Sequence, residues 1–175
     1  FAEISYRIEG QDIWNSGWNP QDPNSKLTLS FYARCSLAGT YYVWFNNSGG
    51  TAYTYTLAFT LSANTRQRVS MTIPGNSNLS GMNQNNTEGL RINWVPHYGT
   101  TYTGHSEAVT GSWYNRTQTD GYLPNFGQSF INTANATFDL TGVQLELGSV
   151  ATPFEHRSYA EELQKCYRYF YALHP

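Results

Sequence analysis

The stretch from His97 to Gln128, HYGTTYTGHSEAVTGSWYNRTQTDGYLPNFGQ, interleaves aromatic rings with amides and single charges. Trp113, Tyr114, Asn115 and Arg116 are consecutive, Asp120 and Tyr122 follow, and Tyr98, Tyr102 and His105 precede them. These residue types suit sugars. A pyranose ring offers an apolar C–H face to an indole or phenol, and its hydroxyls bond to amides, carboxylates and guanidinium groups. Large aromatic area also comes with little entropy loss, the property that enriches Tyr and Trp in antibody paratopes. Trp14 and Trp18, in DIWNSGWNP, form a second such set. The same side chains are ordinary cover for the ends of a β-sandwich core. Tyr32, Tyr42 and Trp44 are further large rings, at outward strand parity.

Acid–base and nucleophilic chemistry find less support. Glycoside hydrolysis needs two carboxyl groups roughly 5–10 Å apart across a cleft, and Glu107 and Asp120 are the one pair on a suitable loop; as solvated loop acids they need no such role. No GxSxG is present, and Gly104-His105-Ser106-Glu107 lacks the strand-to-helix elbow that exposes a nucleophilic serine. His97, His105, His156 and His174 are scattered without metal-ligand spacing. The expectation is a non-enzyme with no catalytic residue and no catalytic metal.

Strands must carry these residues. Leu27, Leu29, Phe31, Ala33 and Cys35 alternate with Thr28, Ser30, Tyr32 and Arg34, the period of a half-buried strand. Similar runs occur at 4–8, 40–46, 53–61, 69–73 and 90–94, the last halted by Pro96, and a final run is TFDLTGVQLELG. In that final run Phe138 and Leu140 are apolar at even positions, whereas Val143, Leu145 and Leu147 are apolar at odd ones. A straight strand cannot keep both sets on one face, so a bulge is predicted at Thr141-Gly142. Residues 76–89 read as a polar loop. The loop over 97–128 is longer than the ~12–15 residues usual for structureless connections, and such loops are often functional; short strands are expected in it near 107–109 and 112–114. Ser158-Tyr159-Ala160-Glu161 is a capping box. Leu163, Cys166, Tyr167 and Phe170 follow at helical spacing, which predicts an amphipathic helix over 159–171 packed on the sandwich or on a neighbouring subunit. The reading is an all-β antiparallel sandwich over 1–157, with a C-terminal helix and tail over 158–175.

Composition bounds the class. Only 13% of residues are charged and 16% are aromatic, the reverse of a disordered chain. Ten Lys+Arg against twelve Asp+Glu leave a net charge of -2, with no basic stripe to neutralise phosphates. No apolar run approaches the ~20 residues of a membrane span. Nucleic acid and membrane are therefore not expected as partners. Cys35 and Cys166 are the two thiols, both at apolar positions, and read as buried and free. The chain opens at Phe1, without Met, in a strand pattern, which reads as a piece or processed product of something longer.

The segment TGVQLELGSVATPFEHRSYAEELQKCYRYF resembles the closing segment of C-terminal domains of bacteriophage tail fibres and related virion proteins. The pattern TGVQLE-G-ATPFE, followed by a helix with E-L-x-x-C-x-R-Y, is met by Thr141 to Glu146, Gly148, Ala151 to Glu155, Glu162, Leu163, Cys166, Arg168 and Tyr169. That makes seventeen positions in thirty. Upstream, RIEG at 7–10, LTLSFYAR with LAGTYYV, IPG at 73–75 and GLRINW at 89–94 fit less tightly, while 97–126 departs from the pattern. The resemblance implies a jelly-roll similar to carbohydrate-binding modules, a virion location and a homotrimer, in which packing against sister subunits would compete for the exposed aromatics, with Tyr32, Tyr42 and Trp44 as the interface. It also implies host attachment through surface glycan, with virion neighbours as further partners. Other readings are a purely structural virion domain and the carbohydrate-binding module of a larger enzyme. It supplies no catalytic residue. Such sandwiches often hold a structural calcium at a sheet edge, for which Asp139 and Glu3 are the candidate ligands.

Overall fold

Two antiparallel sheets face each other around one core, in a computed structural model that describes residues 1–104, 109–115 and 123–170. In chain order the elements are β1 (Ala2–Glu9), α1 (Gly10–Asn15), β2 (Lys26–Cys35), β3 (Gly39–Asn47), β4 (Tyr53–Leu61) and β5 (Gln67–Pro74). They are followed by β6 (Glu88–His97), β7 (Trp113–Asn115), β8 (Phe138–Leu147) and α2 (Tyr159–Cys166). One sheet runs β1-β6-β3-β4-β7 and the other β5-β2-β8. The chain passes between the sheets at every step except β3 to β4 and β6 to β7. This is the antiparallel sandwich expected from the alternation.

Phe31 sits at the middle of the core. It meets Phe59 edge-on at 5.3 Å and Trp94 edge-on at 6.0 Å, rings supplied by the opposite sheet. Leu29, Tyr41, Val43 and Phe45 are equally shut off from solvent. Each such side chain contributes roughly 1.5–3 kcal/mol by leaving water. The polar loop over 76–89 is not wholly polar in its packing: its Leu79 and Met82 are buried and close one end of the sandwich.

The predicted bulge is present. Ser30 faces Gln144 and Tyr32 faces Thr141, so β8 spends one residue more than β2 over the same span. Gly142 absorbs it at φ +59°, a left-handed conformation that costs glycine nothing. After it, Leu145 and Leu147 again pair with Leu29 and Leu27 on the inward face. Pro96, by contrast, does not stop its strand. β6 continues to His97, and a register shift between Ala2 and Ile4 accommodates the proline opposite β1. An irregular ladder tolerates a residue without an N–H.

The closing motif acts as a clamp. Gln144 and Glu146 project from the outer face of the three-stranded sheet and hold the segment that follows. The Gln144 amide accepts from the Glu155 N–H at 2.8 Å and donates to the Thr152 hydroxyl at 3.1 Å. Glu146 accepts from the Thr152 N–H at 3.1 Å and from its hydroxyl at 2.5 Å, and Arg68 of β5 donates to the Thr152 carbonyl. The hydrogen bonds that the Glu146 carboxyl receives from the Thr152 hydroxyl and N–H and from Gln144, with the Arg68 charge nearby, hold it below its ordinary range against the opposing effect of burial. Thr28 and Ser30 are buried beneath this strap although their parity is outward.

Three local expectations are corrected. Asp12 to Asn15 belong to a short helix, α1, and Trp18 after it is 2% exposed, with its indole N–H donating to the Ser25 carbonyl. Trp18 is therefore a core plug and not a binding platform. Cys35 is buried and accepts from the Tyr41 hydroxyl at 3.0 Å, but Cys166 is exposed. The α2 capping box forms as predicted, with both reciprocal bonds between Ser158 and Glu161. Its apolar stripe, however, does not pack closely on the sandwich, and Leu163 alone in α2 is even partly covered.

At one end of the five-stranded sheet, Glu88 is gripped by Arg91 (2.8 Å), Arg7 (3.1 Å) and the Ser48 hydroxyl (2.5 Å). Burial pushes its pKa up, and the bonds from Arg91 and Ser48 with the two cationic charges outweigh it and hold it below the usual glutamate range. A carboxyl with a depressed native pKa adds stability above its unfolded pKa of about 4.3, and that stability disappears as pH falls through the native value. Glu88→Gln is therefore expected to lower stability by about 1 kcal/mol at pH 7. The gap between the urea midpoints of the two proteins should narrow as pH falls below about 4. A gap unchanged between pH 7 and pH 3 would contradict this assignment.

Candidate functional site: the outer face of the five-stranded sheet

The strand registers line up side chains in rows across the outer face of the larger sheet. Arg7, Arg91, Asn46, Thr54 and Tyr114 form one row, from β1 to β7. Ser5, Asn93, Trp44 and Thr56 form the next, and Val95, Tyr42 and Ala58 a third. Within these three rows, charge is confined to the first row's β1 and β6 end. The centre is an indole set among amides and hydroxyls.

This face is covered. Tyr42, Trp44, Val95, Tyr98 and Leu123 form a second apolar cluster, separate from the main core, with Phe126 packed against it. Phe126 meets Tyr42 edge-on at 5.1 Å. Several bonds tie the cover down. The Gly104 N–H donates to the Leu123 carbonyl at 2.9 Å, the Gly111 N–H to the Thr56 carbonyl at 2.8 Å, and the Gln128 amide to the Thr40 carbonyl at 2.7 Å. Burial pushes the Tyr42 phenol above its ordinary pKa. Tyr42 and Trp44 are thus interior to the cover, and the expectation that they form a subunit interface is overturned. Tyr32, on the other sheet, is half-buried with Arg66 over its ring at 5.6 Å.

Beneath the cover, Asn46, Thr54, Thr56 and Asn93 are buried. Among the described residues, the Asn46 side-chain amide oxygen and the Thr54 and Thr56 hydroxyls have no hydrogen-bond partner. A buried polar group without a partner costs about 1–3 kcal/mol. Three of them in adjacent rows are a concentration of unused, uncharged hydrogen-bonding capacity.

The residues expected to bind ligand do not gather into one set. Tyr98 is buried, with its hydroxyl donating to Glu3, and it packs with Tyr102 at 6.0 Å and with Phe1 at 5.7 Å. Tyr102 lies at the surface of that trio. Trp113 and Tyr114 are consecutive in β7 and so point to opposite faces. Trp113 turns inward, tilted against Tyr55 at 5.3 Å, with its indole N–H donating to the Pro74 carbonyl at 2.7 Å. It ties the two sheets together. Tyr114 turns outward into the row of Asn46 and Thr54, and Asn115 is exposed. His105, Arg116, Asp120 and Tyr122 lie outside the described residues, as do Glu107 and most of the strand expected at 107–109; the strand expected at 112–114 is β7.

Asn46, Thr54, Thr56 and Asn93 were not singled out in the sequence, because Asn and Thr at outward parity look like any solvated strand face. The signal that was available is Tyr42 and Trp44 at that same parity, since rings that large on an outward face mark one that is covered or used. The two calcium candidates stand on different sheets. Asp139 of β8 pairs with Arg34 at 3.6 Å, and Glu3 of β1 accepts from Tyr98. Among the described residues, no group of three or more His, Cys, Asp or Glu side chains is placed to hold a metal ion, and no helix is long and apolar enough to cross a membrane. No family model, curated protein or solved structure matches the chain.

Proposed function

We propose that this chain is a virion fibre domain that attaches a bacteriophage to its host by binding surface glycan, without catalysis. The observation that supports this reading is the uncharged aromatic and amide rows around Trp44, continued toward the sheet edge by Tyr114. Neutral hydrogen-bonding groups beside aromatic rings match the hydroxyls and C–H faces of a sugar. A homotrimer would multiply weak single-site affinity by raising effective concentration. The competing reading is a purely structural virion domain that touches only virion neighbours. Its support is that Tyr42, Trp44 and Tyr98 are already consumed in holding the cover to the sheet.

Binding of the whole chain to a glycan array and to host cells separates the two. Wild type should bind, and Tyr114→Ala and Tyr122→Ala should each weaken binding by about tenfold, the loss of one or two good polar or stacking contacts. Trp113→Ala is unsuitable because that indole ties the sheets. Equal binding by wild type and both variants would remove the loop from the site, and absence of binding by wild type would favour the structural reading.

A further inference from the structure

One side of the sandwich is left open. β1 ends the five-stranded sheet and β8 ends the three-stranded sheet on that side, and each pairs with one strand only. Between them lies a groove of about 1190 Å³, floored by Ile92, Trp94 and Leu145. The inward rows of both edge strands, which elsewhere form core, reach solvent here: Ile4 is 41% exposed, Tyr6 60%, Val143 39% and Leu147 56%. Beside the groove stands α2, anchored by Arg168 to Glu9 at 2.5 Å. The turn after it presents Tyr169 at 67% exposure and Phe170 at 75%.

We infer that this side is a self-association surface, in which the apolar end of the C-terminal helix of a second copy enters the groove between β1 and β8. Two observations select that occupant. The first is area. With aromatic side chains carrying roughly 150–250 Å² each, Ile4, Tyr6, Val143, Leu147, Tyr169 and Phe170 together expose on the order of 750 Å². Groove and helix end are the two sides of one contact, so this sum is its total buried area, in the range of weak, concentration-dependent interfaces. The second is charge. Asp12, Glu146, Glu155 and Glu162 line the groove against one guanidinium, that of Arg157. Lys165, one turn before Tyr169, lies on the segment that would enter. The hand-over is concave to convex, as a groove and a helix end require. This surface lies away from the polar rows under Tyr98, Leu123 and Phe126, so the inference holds whatever those rows bind.

The test is the mass of the full chain in solution, by light scattering and sedimentation between about 5 and 100 µM. Wild type should appear at a multiple of 19.8 kDa. Tyr6→Asp, on the groove, and Phe170→Ser, on the helix end, should each return it to monomer with an unchanged far-UV circular dichroism spectrum. Ile131→Asp, an equally exposed apolar position in the 128–137 connection, should leave the mass unchanged. Wild type that stays monomeric at 100 µM would overturn the inference. So would folded Tyr6→Asp and Phe170→Ser proteins that associate as wild type does.

Discussion

Phe31→Ala is expected to lower the stability of the domain by about 3–5 kcal/mol, a large fraction of the ~5–15 kcal/mol that holds a domain of this kind together. Phe31 is fully buried on the central strand of the smaller sheet, and its ring is the contact through which that sheet meets Phe59 and Trp94 of the larger one. Truncation loses the transfer of the ring from water and two edge-to-face contacts worth roughly 0.5–1.5 kcal/mol each. It also leaves a cavity that neither sheet can close without bending, because each is held by its own ladder. Urea unfolding should show the midpoint falling with an unchanged slope. A loss under about 1.5 kcal/mol would mean that Phe31 is not the centre of the core.

Gly10→Ala is expected to cost about 2–3 kcal/mol for a different reason. A Cβ on Gly10 would stand 2.1 Å from the carbonyl oxygen of Asn83 and 2.9 Å from the N–H nitrogen of Gln84. These are backbone atoms and cannot swing aside. The crossing is reciprocal: a Cβ on Gly89 would lie 2.5 Å from the Gly10 Cα. Two glycines let β6 and the start of α1 pass in contact, and bonds from Gly10 to the Thr87 carbonyl (2.8 Å) and from Gln11 to the Asn85 carbonyl (2.9 Å) fix the approach. Making room means shifting those bonds, the overpacking penalty of a closely packed site. The melting temperature should drop by roughly 5–10 °C. A drop below about 2 °C would show that the crossing relaxes freely.

These two positions illustrate what sequence could and could not reveal. Phe31 was legible because alternation over nine residues is a strong local signal, and the parity switch between Leu140 and Val143 located the Gly142 bulge by the same logic. The α2 capping box was legible because it depends on residues three apart. Gly10 was not, since nothing local distinguishes a glycine that spares a distant carbonyl from one in a turn. Six residues gave α1 too little length for a period. The cover on the larger sheet also escaped notice, because no local signal marks Thr54, Thr56 and Asn93 as buried. For the candidate site, the residue types were readable but their sides were not: Trp113 and Tyr114 are neighbours in sequence and lie on opposite faces.

The Gly142 bulge and the clamp behind it also set an order of assembly. β2 is the middle strand of its sheet, and one of its two ladders is made with β8, more than a hundred residues later in the chain. Pairings of such long separation are slow to form because loop closure precedes any reward. During synthesis, β2 therefore waits with an open apolar edge until almost all of this chain has emerged. β3, β4 and β6 can pair among themselves meanwhile. The last strand to be made is the one that seals the core. Its motif joins strand and strap in a single stretch, so β8 and the layer that fastens it arrive together.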